Sequence, residues 1–326
     1  MLDRSNRRIN YLRLSITDNC NLRCQYCLPE NPNSFSKSST LLSSDDIQKI
    51  VEAFSLIGIK KIRITGGEPL VRKDFPEILK KINKIQGIEK IAITTNGFNL
   101  LENLNEFEEN GLNRINISLD SLNKKKYSEI TRGGDFDKVF ETIKKISEMN
   151  FERVRLNVVI MKGINDDEIL DFVNLTRNLN IGVRFIELMP IGEGKKFTSM
   201  KNSEIISFIK QTYELLVNSN ESTDGPATYY KIPNFLGEIG FISPLSNRFC
   251  DKCNRIRVTS SGFLKLCLHY NEGIDLLQYL RKNISIKELA EIIEAAIYSK
   301  KPKEHKMNSL ETVENIETKG MNEIGG

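Results

Sequence analysis

Between Tyr11 and Leu188, short runs that alternate aliphatic and polar residues are followed by stretches whose apolar residues return every three or four positions. The alternating runs predict strands at Tyr11–Thr17, Lys61–Thr65, Lys90–Thr95, Arg114–Leu119, Arg153–Ile160 and Gly182–Leu188. Ile47, Ile50, Val51, Phe54 and Ile57 follow a Ser43-x-x-Asp46 start and predict a capped helix. Phe136, Val139, Phe140, Ile143 and Ile146 predict a second, and Ile169, Phe172, Val173 and Leu175 a third. Strand and helix in regular alternation predict an α/β fold with a parallel sheet and helices on its outside. Six such units are too few for a closed eight-fold barrel, which leaves an open three-quarter barrel or a doubly wound sheet.

The two faces of each strand differ. Leu12, Leu14 and Ile16 lie opposite Arg13, Ser15 and Thr17; Ile62 and Ile64 lie opposite Arg63 and Thr65; Ile91 and Ile93 lie opposite Thr94 and Asn96. Ile115, Ile117 and Leu119 lie opposite Asn116, Ser118 and Asp120, and Val154, Leu156 and Val158 opposite Arg155 and Asn157. The aliphatic face should meet the helices. The other face is too polar for an ordinary barrel core. An amphipathic sheet with one face in water would also give this pattern, but parallel sheets are normally covered on both sides. A polar, arginine-lined cavity is the favoured reading.

After Met189-Pro190 the rhythm changes, so the chain divides into a core at 1–190 and a C-terminal region at 191–326. Ser203 to Leu216 reads as a helix and Asn218 to Gly225 as a loop. Short strands are predicted around Thr228–Lys231, Glu238–Ile242, Arg255–Thr259 and Phe263–Leu266. A final helix starts at the capping box Ser285-x-x-Glu288 and carries Leu289, Ile292, Ile293 and Ile297. The polar stretch from Lys300 to Gly326 reads as a mobile tail.

A net charge of +4 on 326 residues does not argue for nucleic acid and is compatible with a small anionic substrate. Met1 to Asn10 lacks the apolar region of a signal peptide, and the apolar runs are too short to span a bilayer. A cytoplasmic protein with no membrane partner is expected, and there clustered cysteines are metal ligands more often than disulfides. The six cysteines form two triplets, Cys20, Cys24, Cys27 and Cys250, Cys253, Cys267, with none left over. The first is spaced C-x3-C-x2-C on the loop after the first strand. Thiolates suit zinc or iron–sulfur clusters. Three are one short of a closed site, so either a fourth ligand comes from elsewhere or one iron is left open. Gly66-Gly67-Glu68-Pro69 follows the second strand, where a glycine pair brings backbone close to a ligand and offers N–H and C=O groups, and Glu68 offers an acceptor for an amine.

The C-x3-C-x2-C motif with Tyr26 before its last cysteine, followed by GGEP on the next β-α loop, resembles the radical S-adenosylmethionine (SAM) superfamily. That resemblance implies a partial, six-unit β/α barrel and a 4Fe–4S cluster whose open iron chelates SAM. An electron from the cluster then cleaves SAM to a 5′-deoxyadenosyl radical, which abstracts hydrogen without a histidine base; His269 and His305 fall in no motif.

In the second triplet, Cys253 is followed by Arg255 and Arg257, which share a strand face and suit phosphate oxygens. With Arg13, Arg63 and Arg155 they make five cations that could converge. Over Arg13–Asp18, Arg63–Leu70, Thr94–Gly97, Ser118–Leu122, Asn157–Val159, Lys162–Asn165, Arg184–Pro190, both triplets and Gly325-Gly326, the chain resembles the GTP 3′,8-cyclase family of molybdenum cofactor biosynthesis. This implies a C-terminal α+β extension carrying a second 4Fe–4S cluster, whose open iron binds the guanine of GTP. It implies SAM contacts at Tyr26, Gly67, Ser118 and Met189. It implies GTP contacts at Arg13, Arg63, Thr94, Arg155, Arg184, Arg255 and Arg257, and no catalytic side chain beyond the cluster ligands. At Arg155 the family usually has Lys, so a planar fork replaces a point charge. The product implied is 3′,8-cyclo-7,8-dihydro-GTP, and the Gly-Gly tail is implied to reach the active site. The partners implied are a flavodoxin or ferredoxin as electron donor and cyclic pyranopterin monophosphate synthase as the next enzyme; a homodimer is compatible. Two other readings stand beside this one: a peptide-modifying radical enzyme with an auxiliary cluster, which would carry more C-terminal cysteines, and a module with two structural zinc sites, each needing a fourth ligand.

Overall fold

The computed structural model describes residues 1–31, 41–218, 225–247, 249–300, 317 and 319–325. Most of the stretch read as a loop after Asn218, most of the C-terminal tail, His305 and Gly326 lie outside the described residues. The first six strands are β1 (Tyr11–Ser15), β2 (Lys61–Thr65), β3 (Lys90–Thr95), β4 (Leu112–Ser118), β5 (Arg153–Val159) and β6 (Gly182–Ile186). Between and after them run α1 (Ser44–Leu56), α2 (Phe75–Asn83), α3 (Leu104–Glu109), α4 (Lys124–Thr131), α5 (Phe136–Ser147), α6 (Ile169–Asn178) and α7 (Asn202–Ile209). The C-terminal region adds β7 (Leu216–Val217), β8 (Ala227–Lys231), β9 (Glu238–Ile242), β10 (Arg255–Val258), β11 (Phe263–Lys265) and β12 (Gly273–Asp275), with α8 (Leu277–Arg281), α9 (Ile286–Tyr298) and α10 (Met321–Ile324).

Among the described residues twelve strands form one sheet in the order β12-β11-β10-β1-β2-β3-β4-β5-β6-β9-β8-β7. The six β-α strands run parallel in sequence order, and two C-terminal strands extend them in the same direction: β10 beside β1 and β9 beside β6. The outermost pairings, β10–β11–β12 and β9–β8–β7, are antiparallel. The result is a partial β/α barrel widened at both edges by the C-terminal region. Right-handed β-α crossovers require the helices to cover the sheet's aliphatic face, and Leu12, Leu14, Ile62, Ile64, Ile93, Ile115, Ile117, Leu156 and Val158 are accordingly buried in one continuous core. Burying each such side chain contributes about 1.5–3 kcal/mol.

Local signals explain the helix starts. Ser43 and Asp46 form a reciprocal capping box on α1, as Ser285 and Glu288 do on α9, and α1 packs on α9, joining the ends of the chain. Three expectations change. The helix expected over Ser203–Leu216 ends at Ile209, and the chain turns into the short strand β7. The strand Gly273–Asp275 and helix Leu277–Arg281 had no clear periodic signature because they are three and five residues long. The tail reading fails at both described ends. Lys300 is buried, and residues 317 and 319–325 dock into the molecule, with Glu317, Asn322 and Ile324 buried.

Candidate active site

A cavity of about 430 Å³ runs along the polar face of the sheet. Every residue expected to serve the two clusters, SAM or GTP lines it: both cysteine triplets, Tyr26, Gly67, Ser118, Met189, Arg13, Arg63, Thr94, Arg155, Arg184, Arg255 and Arg257. The topology separates the triplets. Cys20, Cys24 and Cys27 follow the C-terminal end of β1. Cys250 and Cys253 precede β10, which runs parallel to β1, and Cys267 follows β11, which is antiparallel to it. The second triplet therefore sits at the N-terminal ends of the strands, about 15 Å away across a five-residue strand.

The loop carrying the first triplet is held by backbone. Gly67 N–H donates to Thr17 O and Glu68 N–H to Asn19 O, both at 2.7 Å. A Cβ on Gly66 would lie 2.6 Å from Thr17 O, and one on Gly67 2.3 Å from Asn19 O, so both positions require glycine. Of the N–H groups this pair was expected to offer a ligand, that of Gly67 is spent on Thr17. Glu68 is likewise occupied, accepting from Leu70 N–H, Thr95 Oγ1 at 2.7 Å and Asn96 N–H at 2.6 Å. Burial pushes its carboxyl up to about 7 against those three hydrogen bonds. It organises the β3 loop rather than standing ready for an amine. Tyr26 donates its hydroxyl to Asp120 Oδ2 at 2.7 Å, while Asp120 Oδ1 accepts from Val159 N–H at 2.8 Å. This orients the Tyr26 ring, and burial raises Asp120 to about 6.

The thiols fit a shared polycation better than isolated protonated groups. Burial raises Cys20 to about 11, and burial together with Cys20 and Asp120 raises Cys27 to about 12. Cys24 is driven well above the usual range by burial, Cys27 and Asp120. A cluster that takes thiolates removes this mutual penalty. Among the described residues no group of three Cys, His, Asp or Glu side chains converges on a single ion position, whereas a cubane takes its thiolates at separate iron corners.

The arginines form a row. In register across β2, β1 and β10 stand Arg63, Arg13 and Arg257. Like charges directly opposite one another are destabilising. Burial and the neighbouring arginines hold Arg13 well below its ordinary value, and burial and Arg255 hold Arg257 at about 10. Arg257 donates to the carbonyl of Gly325, which brings the chain's C-terminal end into the cavity. Arg63 contacts the Tyr11 hydroxyl and donates to Thr94 Oγ1 at 3.4 Å. Arg184 donates to Asn116 Oδ1 at 2.7 Å and Asn157 Oδ1 at 2.6 Å. Arg155 pairs with Glu238 at 3.1 Å and stacks over Tyr229 with 4.5 Å to the ring centroid. Arg255 stacks over Phe249 at 4.9 Å. A row of desolvated guanidinium groups of this kind calls for a polyanion.

The sequence reading missed Lys61, Lys90, Arg114 and Arg153, which also line the cavity at the strand starts. Strand parity could have found all four, since Lys61 precedes Arg63 by two, Lys90 precedes Thr94 by four, Arg153 precedes Arg155 by two, and Arg114 shares a face with Asn116. It also missed Glu187, at the end of β6. Its carboxylate accepts from Asn202, Leu245 and Ser246 N–H groups, each at 3.0 Å, and from the Ser246 hydroxyl, fixing the loop that leads to Cys250.

A parallel β/α sheet whose first connection carries three clustered thiols defines the class of radical SAM enzymes. The Radical SAM superfamily profile matches residues 14–176, and the Molybdenum Cofactor Synthesis C profile matches residues 181–307. GTP 3′,8-cyclase of Clostridium perfringens (strain SM101 / Type A) is 49% identical over the full length of both chains. GTP 3′,8-cyclase of Clostridium botulinum (strain Okra / Type B1) is 46% identical, again over both full lengths. The chain belongs to the GTP 3′,8-cyclase family. Among solved structures, Streptococcus suis SuiB bound to S-adenosylmethionine superposes with a TM-score of 0.61 at 16% identity. That superposition covers 83% of this chain but only 64%, less than two thirds, of SuiB, and it supports the fold alone.

Proposed function

We propose that the protein converts GTP to (8S)-3′,8-cyclo-7,8-dihydroguanosine 5′-triphosphate with SAM as co-substrate, the first step of molybdenum cofactor biosynthesis. The observation that carries this reading is the placement of two cysteine triplets at opposite ends of one cavity, with Arg63, Arg13 and Arg257 in register on the strands that span it. When bound, the first cluster supplies the electron that splits SAM, and the second holds the guanine base. Cys20, Cys24 and Cys27 would hold the first; Cys250, Cys253 and Cys267 would hold the second.

The remaining roles belong to the chain. Tyr26, Gly67, Ser118 and Met189 hold SAM at the C-terminal end of the strands. Thr94 and the arginines at 13, 63, 155, 184, 255 and 257 bind GTP, with the guanidinium groups chiefly on the triphosphate. Arg155 meets the ligand already oriented by Glu238 and Tyr229, so replacement of the family's usual Lys leaves a fixed fork rather than a mobile ammonium. The cavity keeps substrate and co-substrate together and limits water, which protects a radical from side reactions. A core at 1–190 and a C-terminal region at 191–326 remain the proposed division; the second profile begins at residue 181, ahead of β6, and β9 and β10 join the core's own sheet. Among the described residues no helix is long and apolar enough to cross a membrane. A cytoplasmic enzyme reduced by a flavodoxin or ferredoxin, handing its product to cyclic pyranopterin monophosphate synthase, completes the reading; a homodimer is compatible with it.

Two substitutions test it under anaerobic conditions. Cys24→Ala abolishes SAM cleavage. Cys253→Ala retains some SAM cleavage but yields no cyclised GTP. Retained cleavage in the first, or undiminished product in the second, would overturn the assignment of the corresponding triplet.

A further inference from the structure

Lys300 stands outside the machinery assigned above, at the foot of α9. It is 4% exposed, and its side chain lines the cavity beside the second triplet. Its Nζ lies 3.8 Å from Cys253 Sγ, within hydrogen-bond reach of a sulfur, and donates also to the carbonyl of Arg255. Among the described residues it forms no ion pair with a carboxylate. The backbone around it is clamped. Arg7 donates through Nη2 to Lys300 O at 3.3 Å and through Nη1 to Cys250 O at 2.9 Å, and its Nε is held by Asp3 at 2.7 Å. One guanidinium from the N-terminal segment thus ties the lysine to the loop that carries two of the three thiols.

A buried ammonium without a counter-charge costs several kcal/mol. A thiolate-bound cluster at Cys250, Cys253 and Cys267 is the negative charge placed to offset it. The effect is mutual: a cation that hydrogen-bonds a ligand sulfur favours the cluster state with one more electron. Arg255 and Arg257 also stand near these cysteines, but on the proposed reading they face triphosphate, which cancels much of their charge. Among the described residues no carboxylate makes such a second claim on Lys300.

We propose that Lys300 is the positioning charge of the second cluster: its ammonium, fixed by Arg255 O and the Arg7 clamp, sits on Cys253 and raises the reduction potential of the cluster that this triplet holds. The proposal rests on the reading of Cys250, Cys253 and Cys267 as cluster ligands.

The test uses the full-length chain with Cys20, Cys24 and Cys27 changed to Ala, so that only the second cluster forms on anaerobic reconstitution with iron and sulfide. Its midpoint potential is then read by redox titration followed by electron paramagnetic resonance. Lys300→Met is expected to move the midpoint to more negative values, and Lys300→Arg, which keeps the charge, to leave it near that of the parent. Lys300→Gln supplies a second neutral variant should the Met variant fail to fold. An unchanged midpoint in the neutral variants overturns the proposal, and so does an equal shift for Arg and Met, which would mean packing and not charge. Iron analysis separates the two levels. A parent chain that binds no iron overturns the cluster reading and the proposal with it, whereas a loaded cluster with an unmoved midpoint overturns the proposal alone.

Discussion

Arg257 joins three features of the site: the row with Arg13 and Arg63, the neighbourhood of the second triplet, and the carbonyl of Gly325. If it grips the triphosphate, Arg257→Ala weakens GTP binding by about ten- to a hundredfold, the loss of one charge-assisted contact, and leaves guanosine binding nearly unchanged. Calorimetry with both ligands checks this; equal losses remove the triphosphate role. The thiols give a second expectation. At Cys253 burial raises the thiol, but Lys300 and Arg255 outweigh it and bring it down to about 7, while Cys20 and Cys27 stand near 11 and 12. In metal-free protein, then, Cys253 is a thiolate above about pH 7, and its alkylation slows as pH falls through that value. Cys20 and Cys27 stay unreactive until far more alkaline pH. Mass spectrometry of the alkylated residues against pH reads this directly, and uniform reactivity across the six cysteines would contradict it.

At the scale of the element, the β-α connections decide whether the site assembles. Gly67→Ala places a methyl 2.3 Å from Asn19 O, where only a shift of the 17–19 backbone can relieve it. The variant is expected to lose the first cluster and keep the second, so iron per chain falls by roughly half. Full iron content would show that this turn tolerates a side chain. Glu187→Ala removes a carboxylate that accepts four hydrogen bonds from residues 202, 245 and 246. A cost of about 3 kcal/mol in denaturant unfolding of the metal-free protein is expected, with iron loss at the second triplet. Much at this scale was legible beforehand. The strands Lys61–Thr65, Lys90–Thr95 and Glu238–Ile242 have the boundaries that the alternation predicts, because a five- or six-residue run with one aliphatic face has only one way to bury it. The same parity pointed the arginines inward. Glu68 and Glu187 were not legible as structural carboxylates. Most of their partners are backbone N–H groups, which every residue but proline carries and no sequence pattern marks. The strand at Gly273–Asp275 escaped because Gly-Ile-Asp carries a single apolar residue and so shows no alternation.

In the molecule as a whole, the C-terminal region completes what the barrel begins. β10 and β9 extend the parallel sheet at its two edges, and the last described residues return to the cavity. One buried pair governs that return. Lys265 on β11 meets Glu317, both about 1% exposed, and also donates to Tyr270 O at 2.9 Å, while Glu317 N–H donates to His269 O at 2.9 Å. Breaking such a pair from one side costs about 3–5 kcal/mol, whereas replacing both partners by apolar groups is often neutral. Lys265→Met and Glu317→Met are therefore each expected to undock the tail and slow GTP conversion, with the double variant nearer the parent; limited proteolysis of the tail reports the docking. A double variant worse than either single would show that the charges themselves are required. This closure was half visible in advance. Gly325 was marked by the family's ending, but the polar composition between 300 and 326 concealed that Lys300, Glu317 and Asn322 are buried. The central claim, that one cavity couples SAM cleavage to cyclisation of GTP, meets its most direct test in anaerobic incubation of the reconstituted protein with GTP, SAM and reductant. The account predicts that 5′-deoxyadenosine and a cyclised GTP appear together and that both need the two triplets; 5′-deoxyadenosine with no change in GTP, or neither product from a fully iron-loaded protein, would contradict it.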